Sequence, residues 1–148
     1  MLRRILGIDV GTKRIGLALS DPTHTIATPF ETLHRTTPEK DIETLIDWIQ
    51  QESVSKIVVG WPLETSGREG RLAKKVQRLI DDLTEKTDLP IMKWDERMSS
   101  VAAERSLIAG GTRRLARRNL VDKVAASIIL QGWLDAEMNK DKNSSNVV

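Results

Sequence analysis

Four acidic residues lie at positions in the sequence where their side chains could form one functional site. Asp9 lies near the end of the first apolar segment of the chain, and Asp95 and Glu96 directly follow a later one. Asp122 is the only acid in a basic stretch between residues 105 and 123. A carboxylate at the end of an apolar strand is costly to bury without a partner, and open α/β sheets place their ligands at such strand ends. These residues are therefore the first candidates for a functional site.

Each of these acids also has a purely structural interpretation. Asp9 could brace the turn at Gly11, and the Asp95-Glu96 pair could form a solvated turn with Arg97. Asp122 could neutralise a basic neighbour one helical turn away. The fold decides between the two interpretations, because it determines whether the acids meet.

The periodicity of the apolar residues predicts the elements that carry these acids. Alternation predicts strands over 4–10 and 14–20, joined by the turn Gly11-Thr12-Lys13, and further strands near 26–33, 56–60 and 89–94. Helical spacing predicts a helix that begins at Pro38 after the capping residue Thr37, and further helices over 68–86, over 99–107 and from about 115 or 119 to 138.

This order of elements predicts an α/β fold with a mixed sheet flanked by helices. The first three of its five strands are expected to be antiparallel, and the last two to run parallel to the first. The carboxyl ends of parallel strands meet at one edge of a sheet, so Asp9 and the Asp95-Glu96 pair are expected at the same edge.

The acids predict a metal site. Three carboxylates from separate elements, namely Asp9, Asp95 or Glu96, and Asp122, would repel one another unless cations were present. Hard oxygen ligands select Mg²⁺ or Mn²⁺, and the chain has no cysteine that could form a thiolate site. Two such ions can activate a water molecule and stabilise the leaving oxygen of a phosphodiester. The pattern therefore favours two-metal phosphodiester hydrolysis.

The basic residues suggest the partner. The net charge of the chain is only +2, but the stretch around Asp122 is strongly basic. Its arginines could bind backbone phosphates beside the acidic centre, although a charge run is often only a solvated face. The candidate phosphate-binding residues, which include two cations near the strand ends, are Lys13, Arg97, Arg113, Arg114, Arg117 and Arg118. Trp61 and Trp94 adjoin strand ends and could belong either to the core or to the cleft.

Four blocks of the sequence resemble the signature blocks of the YqgF family. They are Ile8–Ala18, Val58–Leu63, Asp95–Ser100 and Asp122–Gln131, in the family's order. The members are Holliday-junction-resolvase-like nucleases that are also implicated in maturing the 5′ end of the small-subunit ribosomal RNA precursor. The resemblance implies a ribonuclease H-like fold and a metal-dependent nuclease that acts on branched DNA or on precursor ribosomal RNA.

The resemblance also implies roles for individual residues. Asp9 matches the acid of the first strand, the Asp95-Glu96 pair the second acidic block, and Asp122 the acid of the last helix. Related junction resolvases are expected to have an acid after the fourth strand, where this chain has Gly60-Trp61-Pro62-Leu63. That ligand must come from elsewhere, and Glu96 is favoured over Asp95. Asp9, Glu96 and Asp122 are thus the expected catalytic acids.

Two other functions fit parts of the sequence. The run Asp9-Val10-Gly11-Thr12 also resembles the first phosphate loop of sugar kinases and actin-like proteins, which hold ATP between two domains. The length of 148 residues predicts one domain, which argues against that function. A non-catalytic RNA-binding module for ribosome maturation would use Lys13, Arg97 and the arginines while the acids only brace loops.

The sequence predicts a single domain followed by a short tail. We expect one nuclease domain over 1–138 and a flexible, polar C-terminal tail over 139–148. No apolar run is long enough to cross a membrane and no signal peptide is recognisable, so a cytoplasmic protein is expected. A two-fold homodimer would suit symmetric cleavage of a junction, whereas a monomer could trim an RNA end.

Overall fold

The computed structural model describes residues 3–62, 70–95 and 114–146. Three of the candidate site residues, Glu96, Arg97 and Arg113, lie outside the described residues, as does the helix expected over 99–107. No helix in the described parts of the chain is both long and apolar enough to cross a membrane.

A five-stranded mixed sheet forms the centre of the fold, as the alternation predicts. Its spatial order is β3-β2-β1-β4-β5. The first three strands pair antiparallel, whereas β4 runs parallel to β1 and β5 runs parallel to β4. The strands are β1 (Arg4–Val10), β2 (Arg14–Ser20), β3 (Ala27–His34), β4 (Val54–Trp61) and β5 (Ile91–Asp95).

Three described helices flank the sheet: α1 (Pro38–Gln51), α2 (Arg71–Lys86) and α3 (Arg114–Asn146). The start of α1 is fixed as predicted, because the Thr37 side chain accepts a hydrogen bond from the Lys40 backbone N–H at 3.2 Å. The sequence predicted that α3 ends at Met138, but the helix continues to Asn146. No glycine or proline interrupts this polar segment, and Lys140 pairs with Glu137 at 3.2 Å one turn away.

The two faces of the sheet carry separate cores. Leu6 and Ile8 of β1 pack into the core that also contains the apolar faces of α1 and α2. Ile5 packs into the second core, which is built by α3. Side chains alternate along a strand, so Asp9 shares the α3 face with Ile5 and Gly7.

Two glycines allow α3 to lie directly against the sheet. A Cβ atom at Gly7 would stand 2.7 Å from the Leu130 Cβ, and one at Gly16 only 1.9 Å from the Asp122 carbonyl oxygen. Real Cβ atoms do not approach other atoms so closely, so the position of α3 requires that both residues lack a side chain. The backbone of α3 at Asp122 is therefore seated on β2 at Gly16.

Replacing Gly16 with alanine tests this contact. We expect Gly16→Ala to lower the free energy of unfolding by about 1–3 kcal/mol, because the methyl group must push the α3 backbone away. Urea unfolding of the variant and its parent measures the change.

Gly132→Ala is the matched control for that substitution. A Cβ at Gly132 would stand 3.1 Å from Nε1 of the Trp94 side chain, which can shift more easily than backbone. The helix propensity gained by alanine, about 1 kcal/mol, should offset the crowding. Equal stability of Gly16→Ala and its parent would contradict the seating of α3 on β2.

Candidate functional site

Asp9 is a buried carboxylate near the end of β1. It is 5% exposed and lies on the face of the sheet that α3 covers. In the antiparallel ladder its direct partner on β2 is Gly16. The residue that seats α3 on the sheet is thus the cross-strand neighbour of the acid.

Asp122 is brought to Asp9 by this arrangement. Its carbonyl oxygen lies over Gly16, and its side chain, 19% exposed, lines the same cavity as Asp9. The cavity has a volume of about 360 Å³ and also contains Lys13 from the turn between β1 and β2. The structure therefore brings together three residues predicted from the sequence, two acids and one cation, from three separate elements.

Arg14 is a site residue that the sequence analysis missed. Its Nε donates a hydrogen bond to Oδ2 of Asp122 at 2.6 Å, and the two residues are 108 positions apart in the chain. Arg14 is the first residue of β2 and, by alternation, shares the α3 face with Gly16. That alternation was a signal available from the sequence, but the partner on α3 was not. The ion pair orients the Asp122 carboxylate and compensates part of its charge within the cavity.

The register of β5 separates Asp95 from Asp9. Trp94 packs on the α3 face, close to Gly132. Lys93 lies on the opposite face, where its Nζ contacts Gln77 of α2 at 2.6 Å. Asp95 follows Trp94, so strand alternation places Asp95 on the Lys93 face, away from Asp9. Glu96, the next position in the chain, lies outside the described residues.

The two tryptophans at the strand ends are packing residues. Trp61 is 8% exposed within the core on the α1 and α2 side, where Lys93 Nζ lies 3.9 Å from its ring centroid. Trp94 packs against the α3 core. Neither residue lines the cavity that contains Asp9 and Asp122.

Three further cations predicted to bind phosphate lie at the start of α3. Arg114, Arg117 and Arg118 lie on the helical turns that lead to Asp122. These three arginines and Asp122 therefore belong to one continuous helix.

The chemistry of the donors fits a hard divalent cation. Asp9 and Asp122 supply carboxylate oxygens at one cavity, which is the ligand type preferred by Mg²⁺ and Mn²⁺. The described residues contain no group of three or more His, Cys, Asp or Glu side chains that could hold a metal ion. Glu96, the further acid that the sequence favours as a ligand, lies outside the described residues.

The RuvX family model, described as "Holliday junction resolvase", matches residues 3–136. The chain belongs to this family. Its relatives include a protein of Desulforamulus reducens that is 47% identical over 90% of this chain and 97% of its own length. A protein of Paramagnetospirillum magneticum is 44% identical over 90% of this chain and 86% of its own length. Both are named "Putative pre-16S rRNA nuclease". RuvX and YqgF are two names for this family, so the resemblance predicted from the four sequence blocks is confirmed.

Solved structures confirm the fold expected for this RuvX family member. RuvC of Thermus thermophilus in complex with a Holliday junction substrate matches with a TM-score of 0.58, at 16% identity, over 92% of this chain and 96% of that one. The yeast mitochondrial Holliday junction resolvase Ydc2 matches with a TM-score of 0.51, at 12% identity, over 90% and 78%. The chain has the ribonuclease H-like fold of these proteins.

The ion pair between Arg14 and Asp122 can be tested by its effect on stability. We expect a double-mutant cycle of Arg14→Met and Asp122→Asn to give a coupling energy of roughly 1 kcal/mol, since both side chains are partly exposed and screened by solvent. Urea unfolding of the four proteins supplies the cycle. Strictly additive effects would show that the two side chains do not interact in solution.

Proposed function

We propose that this chain is a metal-dependent endonuclease that hydrolyses phosphodiester bonds in structured nucleic acid. The observation that carries the proposal is the meeting of Asp9 and Asp122 in one cavity, in a chain of the RuvX family. Two carboxylates from separate elements that line one cavity are the oxygen donors that a divalent cation prefers. In the proposed nuclease, these two acids would be ligands of the divalent cations.

Each residue at the cavity would have a separate role in binding the metal or the substrate. Asp9, Glu96 and Asp122 would hold Mg²⁺ or Mn²⁺, and Arg14 would keep the Asp122 carboxylate oriented through its 2.6 Å hydrogen bond. When bound, such ions lower the pKa of water and neutralise charge on the scissile phosphate. Lys13, exposed in the turn beside Asp9, would hold a neighbouring phosphate of the substrate.

The substrate is proposed from the relatives. Relatives are named "Putative pre-16S rRNA nuclease", and structural neighbours include RuvC in complex with a Holliday junction substrate and the Holliday junction resolvase Ydc2. The hydrolysis is the same chemistry on both nucleic acids, and structured substrates are selected mainly by shape. We propose processing of the 5′ end of pre-16S rRNA, cleavage of Holliday junctions, or both, with a homodimer required only for symmetric cleavage of a junction.

Asp9→Asn is the first test. We expect this variant to cleave at least about a hundredfold more slowly, since losing about 3 kcal/mol of metal-supplied charge stabilisation has that effect on a rate. Cleavage of a four-way DNA junction and of a pre-16S rRNA 5′ fragment should be measured side by side with Mg²⁺, Mn²⁺ and Ca²⁺.

Asp88→Asn supplies the control, because this acid is exposed and lies in the loop before β5, outside the cavity. The control should cleave like the parent. Full activity of Asp9→Asn on both substrates would refute the assigned site. Salt-sensitive RNA binding without cleavage under any divalent ion would instead favour a non-catalytic binding module.

The choice between Asp95 and Glu96 is tested by a matched pair. We expect Glu96→Gln to slow cleavage by about a hundredfold, as loss of a metal ligand should, and Asp95→Asn to change it by less than about threefold. Single-turnover cleavage rates in Mg²⁺ distinguish the two. The reverse pattern would show that Asp95 is the ligand and that the strand alternation does not govern the site.

A further inference from the structure

A second cavity adjoins the candidate site and shares two residues with it. Thr12 and Lys13 line both cavities. The second cavity has a volume of about 590 Å³ and lies between the β1–β2 turn, the connection from β3 to α1 and the side of α2. We call it the α2 groove and define its exposed cationic residues as Lys13, Lys75 and Arg78.

These cations present their side chains at the surface of the groove. All three are exposed, and their side chains form no hydrogen bond or ion pair with other residues in the described parts of the chain. Lys75 and Arg78 are three positions apart on α2, which places them next to each other on one face of the helix. Lys13 stands at the end of the groove that opens into the cavity containing Asp9.

One of the two acids in the groove is already compensated. Asp41 is 2% exposed, its Oδ1 accepts a hydrogen bond from the Thr36 backbone N–H at 3.0 Å, and its Oδ2 pairs with Arg35 Nε at 3.5 Å. The same Arg35 donates from Nη1 to the Gly11 carbonyl oxygen at 3.0 Å. This network fixes the turn that carries Lys13 and removes most of the repulsion that Asp41 would exert on an anion.

The charge changes sign beyond Arg78. Asp82 is the other acid of the α2 groove, and it also borders a neighbouring groove between α1 and α2. That neighbouring groove is predominantly acidic, with Glu39, Glu43, Asp47, Asp82 and Glu85 against Arg78 and Lys86. A polyanion would be attracted as far as Arg78 and repelled beyond it.

We propose that the α2 groove binds the sugar-phosphate backbone of the substrate next to the scissile phosphate, with Lys75 and Arg78 on neighbouring phosphates and Lys13 nearer the reaction. This inference rests on the proposed nuclease function and adds a binding surface to it, distinct from the arginines of α3. Phosphate contacts of this kind set register and orientation without reading sequence. The groove would thus position structured substrates of different sequence.

The test uses the full chain and a labelled four-way DNA junction, with Ca²⁺ in place of Mg²⁺ so that binding is measured apart from cleavage. We expect the double variant Lys75→Gln/Arg78→Gln to bind at least about tenfold more weakly. The slope of log affinity against log salt concentration should become shallower by about 2, because each lost phosphate contact removes about one unit.

The matched control is Lys74→Gln/Lys86→Gln. It makes the same charge change on the same helix, and neither residue lines the α2 groove. This control should change the slope by much less than the groove variant. Equal losses in the two double variants, or the parent's slope in the groove variant, would overturn the proposal.

A charge-preserving variant tests whether misfolding, rather than lost charge, weakens binding of the junction. Lys75→Arg/Arg78→Lys keeps both cations and should keep the parent's salt slope. Thermal unfolding of all variants should match the parent, because both positions are exposed. A loss of the slope in this variant as well would overturn the proposal, since charge would then not be what the groove supplies.

Cleavage assays in Mg²⁺ separate this inference from the proposed function. If no divalent ion supports cleavage but the groove variant still loses salt-dependent binding, the nuclease proposal fails and the α2 groove stands. If cleavage depends on Asp9 while the groove variant binds like the parent, the groove proposal fails and the nuclease stands.

Discussion

The contact between the backbone of α3 at Asp122 and β2 at Gly16 is the constraint on which the site depends. No side chain fits between them, since a Cβ at Gly16 would stand 1.9 Å from the Asp122 carbonyl oxygen. The antiparallel ladder pairs Gly16 with Asp9, so the same contact fixes the acid of the last helix beside the acid of the first strand. Two residues more than a hundred positions apart are thereby held in one cavity by main-chain packing, with no need for a long side chain to reach across.

Acidic side chains line the cavity beside this contact, and a basic side chain lies at its rim. Asp9 and Asp122 form its acidic centre, and Arg14 compensates part of that charge through one carboxylate oxygen. Lys13 stands at the rim, where the cavity meets the α2 groove. In the proposed nuclease, the acidic centre would hold divalent cations and the basic surround would bind phosphate, so the two are complementary. The small net charge of the chain conceals this separation, because the two signs cancel in the sum.

The sequence predicts elements well wherever local rules decide. β1 and β2 have the predicted bounds because the turn Gly11-Thr12-Lys13 separates two short apolar segments. α1 begins as predicted because Thr37 and Pro38 specify a helix start. The acids Asp9 and Asp122 were found from their unusual positions. The role of Arg14 and the face of Asp95 were not, because the first needs the packing of α3 and the second the register of β5. The α2 groove joins three elements distant in sequence, which no local pattern reveals.

Direct titration of the protein with Mn²⁺ tests the central claim that Asp9 and Asp122 together hold divalent cations. Isothermal calorimetry without nucleic acid separates this question from catalysis, and Asp122→Asn removes one ligand while keeping the shape of the side chain. We expect the parent chain to bind Mn²⁺ and the variant to bind it more than about tenfold more weakly, because a metal ligand is lost. Equal Mn²⁺ affinity in the two proteins, with the variant folded, would contradict it.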